Sequence, residues 1–569
     1  MNYNQTVPEL FAQTVQRYPN KDAILFHGRF TYSDLDKMSD EFAKVLLMNG
    51  IYKGDRVSLL LPNSVHFDVA FLGILKIGAV VSAMNPLVST PEILEMAKQA
   101  KPTMIITLDI APFYAHNQAI YKSLKPNQIM MVCDLRDYFS PILKILYTLK
   151  TWRDKHFLGI SSEDGRRSVY SWGYWKRDSL SQKYLLPDNP TMAALTKKNC
   201  PTPDDLAVLQ STGGTTGIPK FAMLSHRNII SNTLQALAHV NATGQLVTKD
   251  SIFLGVLPFF HVFGLSVCLN LAFAVGATVV IMPKFDSAEA LKLIKKYGVD
   301  IFPAITRMYA ALVAFGSKDS EKCRTMCASL RLCFSGAGAL DLAVKAQWEK
   351  MTGKEITEGY GLSEASPIVS FNPIGEGKTG SMGTLVPDTE LKLVHQDTGE
   401  PVGWDESGEL WIRGPQVMMG YWQNEEETRM ALREGGWLAT GDIVRYHDGY
   451  LWFVDRKKDM VKINGENVYP KSIEDVIRTC PIVADVAVFG VPDKETGEQL
   501  VACVVLNDKA EGALKYTDSA LTDAIHGHCR NNHLAGIKIP KRVVSVPEIP
   551  KTVVGKVLKR VLKENLLKN

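Results

Sequence analysis

Leu206-Ala-Val-Leu-Gln-Ser-Thr-Gly-Gly-Thr-Thr-Gly-Ile-Pro-Lys220 passes from an apolar run into a segment with three glycines, four hydroxyls and a lysine. Consecutive small residues let backbone N–H groups turn toward an anion, the hydroxyls add donors, and Lys220 supplies charge. The segment therefore reads as a phosphate-binding loop. It is not a Walker loop, because Lys220 follows a proline and Phe221 stands where a Ser or Thr would meet magnesium.

Upstream, helical and strand patterns alternate. Phe42 to Asn49 reads as an amphipathic helix, Arg56 to Leu61 as a strand and Ala70 to Ile77 as a helix; Gly78-Ala-Val-Val-Ser-Ala and Thr103-Met-Ile-Ile-Thr read as further strands. Such repeated units predict a mostly parallel sheet covered by helices. From Ser251 to Pro283 there is no Asp, Glu, Lys or Arg. Pro258, His261, Asn270 and a β-like Ala277-Thr-Val-Val-Ile-Met interrupt that run, so it reads as a buried helix followed by a buried parallel strand, not a membrane span.

The whole chain has 569 residues, 46% apolar and 22% charged, which predicts at least two globular domains and excludes a disordered or fibrous protein. A net charge of +4 over this length does not argue for nucleic acid. Nine scattered cysteines without a CxxC spacing, and an N-terminus lacking a basic-then-apolar leader, predict a reducing, cytoplasmic setting.

Residues 138–186 break the rhythm. Pro141-Ile-Leu-Lys-Ile-Leu-Tyr-Thr-Leu-Lys-Thr-Trp-Arg153 places Ile142, Ile145, Leu146, Leu149 and Trp152 on one helical face, with Lys144, Lys150, Arg153 and Lys155 as its basic complement. Two readings stand. A surface helix packing its stripe on the core is the favoured one; peripheral contact of 138–160 with the inner face of the cell membrane is the other. Toward the C-terminus, the charged stretch Asp455 to Asn467 marks a boundary, giving domains 1–457 and 458–569. The second has strand patterns at Val483–Val491 and Leu500–Leu506 and helical ones at Ser472–Thr479 and Thr517–His533, a small α+β domain. From Lys538 to Asn569 nine Lys or Arg face two Glu, a solvated tail or a source of charge for a polyphosphate.

Six further segments accompany the glycine-rich loop: Pro258-Phe-Phe-His261, Ser335-Gly-Ala-Gly-Ala, Glu358-Gly-Tyr-Gly-Leu-Ser-Glu364, Thr440-Gly-Asp442, Asp455-Arg456-Lys-Lys458-Asp and Pro550-Lys-Thr-Val-Val-Gly-Lys556. In this order they resemble the motifs of adenylate-forming enzymes: acyl-CoA synthetases, carrier-protein adenylation domains and luciferases. Gly359-Tyr-Gly-Leu-Ser-Glu-Ala-Ser-Pro, Gly414-Pro-Gln-Val-Met-Met-Gly-Tyr-Trp, Val454-Asp-Arg-Lys-Lys-Asp-Met and Asn467-Val-Tyr-Pro are similar to bacterial long-chain fatty acid–CoA ligases. The fold so implied is α/β, a large N-terminal domain of sheets and helices with a smaller, mobile α+β lid.

The resemblance implies the substrates ATP, a fatty acid and coenzyme A, with Mg2+ as cofactor and a homodimer as a further expectation. Thr212, Gly213, Gly214, Thr215, Thr216, Gly217 and Lys220 would hold the triphosphate. Glu364 and Thr212 would bind the metal, since a hard cation takes carboxylate and hydroxyl oxygens. Gly336, Ala337 and Gly338, with Glu358, Gly359, Tyr360, Gly361 and Ser363, would surround the base. Asp442 would accept from the ribose hydroxyls and Arg456 would steady the nucleotide. Lys556 would align the reacting oxygens, Lys458 would be the hinge, and Lys462 and Gly465 would face CoA. His261 would line the acyl channel; a satisfied core histidine explains it nearly as well. Taken singly, Glu364 also reads as a helix cap, Asp442 as a turn acceptor and Tyr360 as core.

Three positions depart from the common family spelling: Ser363 for threonine, Phe221 for glycine, and Asn464-Gly-Glu466 where relatives carry Ser-Gly-Phe. Rival readings are a fatty acyl-AMP ligase loading a carrier protein, a CoA ligase for a medium-chain or aryl acid, a luciferase-type oxygenase, and a lipid-binding protein with a vestigial site.

Overall fold

Arg56–Leu60 and Val80–Ala83 are neighbouring parallel strands, and the helix Val65–Lys76 between them is buried from Val65 to Leu75. Ser64 caps that helix, accepting from the Phe67 N–H. Gly73 lets it approach the helix Tyr32–Met48, because a Cβ there would sit 2.9 Å from the Phe42 ring and from the Ser39 carbonyl oxygen. The longer helix starts at a capping box in which Thr31 and Asp34 exchange side chain-to-backbone hydrogen bonds.

This computed structural model describes residues 1–154, 169–172, 197–212, 219–507, 517–551 and 557–568. The chain divides into two units. One contains Met1–Gly377, Leu385–Thr389 and Arg413–Glu434; the other contains Lys378–Thr384, Glu390–Ile412 and Gly435–Asn569. By packing, then, the strands Trp437–His447 and Tyr450–Arg456 group with the C-terminal residues.

The first unit holds two large sheets. One has seven strands and is parallel except for its last pair, Leu206–Thr212 with Lys220–Ser225. The other has nine strands and runs from Thr384–Leu385 through Ile368–Phe371, Ile356–Gly361, Leu332–Ser335, Ile301–Ala304, Ile252–Gly255, Thr278–Ile281 and Asp22–Leu25 to Arg29–Thr31; Ile368–Phe371 is antiparallel to Ile356–Gly361, and Arg29–Thr31 to Asp22–Leu25. The uncharged stretch 251–283 contributes two of its buried parallel strands, joined through the π-helical Gly264–Asn270 and the helix Leu271–Val275. No helix among the described residues is long and apolar enough to cross a membrane.

In the second unit, Trp437–His447 pairs antiparallel with Ser407–Arg413 and with Tyr450–Arg456. A further sheet pairs Gly497–Leu506 with Val483–Asp493, Val461–Ile463 and Arg542–Ser545. The helices Pro470–Arg478 and Asp518–Asn531 press Ile473, Ile477, Leu521 and Ile525 onto Val486, Val488 and Leu500, which is the expected α+β core.

One expectation fails. The helix Pro141–Thr151 does not pack its apolar stripe on the core: Ile142, Ile145, Leu146, Leu149 and Trp152 are all exposed. Leu143, Tyr147 and Thr151, on a different face, are turned toward the fold instead.

Candidate active site

The strand Leu206–Thr212 lies between Val80–Ala83, parallel, and Lys220–Ser225, antiparallel. Thr212 and Lys220 are cross-strand partners, so they flank the glycine-rich segment from two sides of a hairpin. A second strand in place of a helix after the loop separates this arrangement from a Walker loop. Gly213, Gly214, Thr215, Thr216 and Gly217 lie outside the described residues, as does Lys556.

Residues 419–422 run alongside the strand Lys220–Ser225. The Met419 and Trp422 N–H groups donate to the carbonyls of Met223 and Phe221, and the Met223 N–H donates to Gly420, each at 2.9 Å. This pairing sets Tyr421 beside Lys220, whose ammonium lies 5.4 Å over the phenol ring. The same ammonium is 2.6 Å from Glu427 Oε2, in the first turn of the helix Glu425–Ala431. A polyphosphate drawn to Lys220 would compete with that carboxylate.

Glu364 sits in the short helical turn Ser363–Ala365, which packs against both hairpin strands. The Tyr421 hydroxyl donates to Glu364 Oε1 at 2.7 Å, and the Glu364 carbonyl accepts from the Met418 N–H at 2.9 Å. Burial, then the Glu364 charge, pushes the Tyr421 phenol well above its ordinary value, so it stays a neutral donor. Glu364 Oε2 has no hydrogen bond among the described residues. A half-buried carboxylate oriented by a phenol, in a turn that packs on the strand carrying Thr212, suits a hard cation such as Mg2+. Asn228 fixes the facing segment, its amide donating to the Pro415 and Val417 carbonyls at 2.8 Å each.

The strand Ile356–Gly361 carries Glu358 to Gly361, with Glu358 in register with Ser335 on the neighbouring strand. Glu358 Oε1 accepts from the Leu340 N–H at 3.0 Å and so ties down Gly336, Ala337 and Gly338. Ala337 adopts a left-handed φ of 66°, while a Cβ on Gly338 would meet open space. Gly359 and Gly361 are demanded by the fold itself: Cβ atoms there would lie 2.7 Å from the Phe371 ring and 2.2 Å from the Pro367 oxygen. Tyr360 is half-buried between them, opposite Ser370.

The turn at Pro258 to His261 reaches the same neighbourhood, since a Cβ on Gly336 would touch the Phe263 ring at 3.1 Å. Two buried amides hold it. Asn63 donates to the Gly255 and Leu257 carbonyls and accepts from the Phe259 N–H, and Gln210 donates to the Phe260 carbonyl. His261 Nδ1 accepts from the Phe263 N–H at 3.2 Å. Burial pushes its pKa down to about 4, so at neutral pH the ring is uncharged, and the bond to Nδ1 assigns its proton to Nε2. His261 can thus donate a hydrogen bond without supplying a charge.

The remaining residues group in the second unit. Asp442 and Arg456 are cross-strand partners with Nε to Oδ1 at 3.3 Å, and the carboxylate is buried. Lys458 follows in the turn where the Asp459 N–H donates to the Arg456 carbonyl. Lys462 reaches Asp397 at 2.7 Å. Asn464 and Gly465, with φ of 52° and 83°, make the tight turn joining Val461–Ile463 to Glu466–Val468. Lys551 and Val557, on either side of 552–556, pair antiparallel.

The sequence profile described as AMP-binding enzyme matches residues 11–422, and that of the AMP-binding enzyme C-terminal domain matches 472–556. The chain belongs to the AMP-binding enzyme family. It is 34% identical over 570 residues to a long-chain-fatty-acid–CoA ligase of Bacillus subtilis, covering 100% of this chain and 95% of the relative. A long-chain-fatty-acid–CoA ligase of Salmonella typhimurium is 36% identical, over 98% and 94% of the two chains. Among solved structures, ATP-bound MatB from Rhodopseudomonas palustris superposes with a TM-score of 0.78 at 25% identity over 99% of each chain. The anthranilate CoA ligase AuaEII with anthranoyl-AMP gives 0.79 at 25%, over 100% of this chain and 98% of that one.

Within this AMP-binding enzyme, Tyr421, Glu427, Asn63, Gln210 and Asn228 are the site-building residues that the sequence did not single out. Tyr421 lies in the Gly414–Trp422 segment quoted above. Glu427 is one of three consecutive glutamates that read as ordinary charge at a helix start. Only the ion pair to Lys220 distinguishes it.

Proposed function

We propose that the protein activates a long-chain fatty acid with ATP and passes the acyl group to coenzyme A. The observation that carries this reading is the hairpin-borne pair Thr212 and Lys220 beside an oriented Glu364. The end-to-end likeness to long-chain-fatty-acid–CoA ligases supports the substrate class. In the first step a carboxylate oxygen attacks the ATP α-phosphorus, the bond to the β-phosphate oxygen breaks, and pyrophosphate leaves. In the second, the CoA sulfur attacks the acyl carbon, the bond to AMP breaks, and the thiol proton passes to solvent.

The acid is ionised at pH 7, so the first step needs no general base; it needs crowded negative oxygens neutralised and aligned. Lys220 supplies charge to the triphosphate, with the glycine-rich loop as cradle. Glu364 and Thr212 would hold Mg2+, which would supply positive charge to the phosphate oxygens. Tyr360 and the Gly336–Gly338 backbone receive the base, Asp442 accepts from the ribose, and Arg456 steadies the nucleotide through its pairing with Asp442. His261 Nε2–H donates toward the acyl site. Lys556 aligns the carboxylate with the α-phosphate. Domain 458–569 then turns about Lys458, bringing Lys462 and the Gly465 turn to the CoA side.

AMP release by the purified protein with ATP, Mg2+ and either fatty acids from butyrate to stearate or the aromatic acids benzoate and anthranilate, with and without CoA, tests the reading. CoA-dependent turnover that peaks with the long acids is expected. Pyrophosphate release that CoA does not stimulate would assign a carrier-protein ligase. Turnover confined to aromatic acids would assign the second reading, which the likeness to an anthranilate CoA ligase favours. Lys556→Ala should slow adenylate formation by about 10²–10³ while sparing thioester formation from supplied acyl-AMP. Lys458→Pro should do the reverse, and equal damage to both half-reactions by either change would sink the rotation.

A further inference from the structure

We infer that the helix Pro141–Thr151 and the residues just beyond it form a docking face for an anionic bilayer surface. Ile142, Ile145, Leu146, Leu149 and Trp152 are 73%, 62%, 58%, 65% and 69% exposed, and their spacing sets them in one continuous row. The helix cannot simply roll to hide that row, because another face is already engaged. Tyr147 meets the Phe139 ring edge-on at 5.4 Å, Arg136 donates to the Thr148 hydroxyl at 3.1 Å, and Thr151 is buried. The segment before it is anchored in turn: the Trp172 indole donates to the Tyr138 hydroxyl, and the His66 ring packs between Tyr138 and Trp172.

Charge selects the occupant. From Tyr138 to Arg153 there is no Asp or Glu, and Lys144, Lys150 and Arg153 accompany the apolar row. The Arg153 guanidinium lies 4.7 Å over the Trp152 ring, an amphipathic pair suited to the depth of lipid headgroups. A second copy of the chain facing this row would bring like charges together, whereas an anionic lipid surface neutralises them. Eleven residues are too few to span a bilayer, so the helix lies in the interface plane with its row among the acyl chains. This inference is independent of which acid the enzyme activates.

Co-sedimentation of the full-length protein with vesicles of phosphatidylcholine, alone or with phosphatidylglycerol, tests it without any substrate. Binding to the phosphatidylglycerol vesicles should be at least ten-fold tighter and should weaken as salt is raised. The double change Leu146→Glu and Leu149→Glu should lower that affinity at least ten-fold without moving the melting temperature. Lys150→Glu with Arg153→Glu should abolish the preference for anionic lipid. Equal weak binding to both vesicles, or unchanged binding by the glutamate variant, overturns the inference. So does a protein that doubles its mass with concentration in light scattering until Leu146 and Leu149 are changed, since the row would then be a self-association face.

Discussion

The helices Val65–Lys76 and Pro141–Thr151 have similar length and a similar wealth of apolar side chains, yet opposite fates. The first is buried all round from Val65 to Leu75; the second buries only Thr151 and leaves its apolar row exposed. Both belong to connections between adjacent parallel strands, Arg56–Leu60 to Val80–Ala83 and Ile129–Cys133 to Val169–Ser171. The first connection is short, and its helix is pinned to the helix Tyr32–Met48 at Gly73 and to Phe259 through Phe67. The second is far longer, so its helix is free of that constraint and meets the fold along Tyr147 and Thr151. Apolar content says that a face must be covered; connection length and neighbours decide by what.

The contrast can be broken at several points. The largest effect is expected in the buried helix: Phe71→Ala should destabilise the first unit by about 3–5 kcal/mol in chemical denaturation, as removal of a buried ring does. A loss below about 1 kcal/mol would mean that this helix is far less tightly packed than its burial implies. A smaller effect is expected at Asp68, whose two carboxylate oxygens are buried in the same helix without a hydrogen bond among the described residues. Burial pushes its pKa well up, so the folded chain keeps the proton while the unfolded chain releases it above about pH 4. Stability contributed by this group is therefore present below that pH and declines as pH rises, by at most about 1.4 kcal/mol per unit. Asp68→Asn should flatten the dependence of Tm on pH above 4; an unchanged slope would show that the carboxyl is ionised in the fold. The smallest effect is expected on the exposed helix, where Leu146→Ala and Leu149→Ala should each change stability by no more than about 0.5 kcal/mol. A cost of several kcal/mol would show that the row is covered within the protein.

The same division runs through the site. Thr212 and Lys220 were legible as candidates because consecutive glycines, hydroxyls and a lysine in one local frame have few structural explanations; Glu364 and Glu358 to Gly361 became candidates through the resemblance, since taken singly Glu364 also reads as a cap and Tyr360 as core. Gly359 and Gly361 show the limit of such reading: their lack of a Cβ answers to Phe371 and Pro367 within the fold, whatever ligand lies nearby. His261 shows another, since its spacing says nothing of the burial that makes it a neutral donor. Tyr421 and Glu427 carry no local signature that separates them from other tyrosines and glutamates. They acquire roles because residues 419–422 pair along a strand some two hundred positions earlier.

Local pattern by itself determined the alternating α/β order, the α+β C-terminal core, the glycine-rich segment as a candidate anion loop and the existence of an apolar row on 141–152. Each of these follows from periodicity or from backbone preferences acting over a few residues. Only the tertiary structure decided that Glu427 takes up the Lys220 charge, that Tyr421 orients Glu364, that Asn63 and Gln210 hold the His261 turn, and that the row on 141–152 faces outward. Those outcomes depend on which distant surfaces meet, and long-range packing is not encoded in any single stretch of chain.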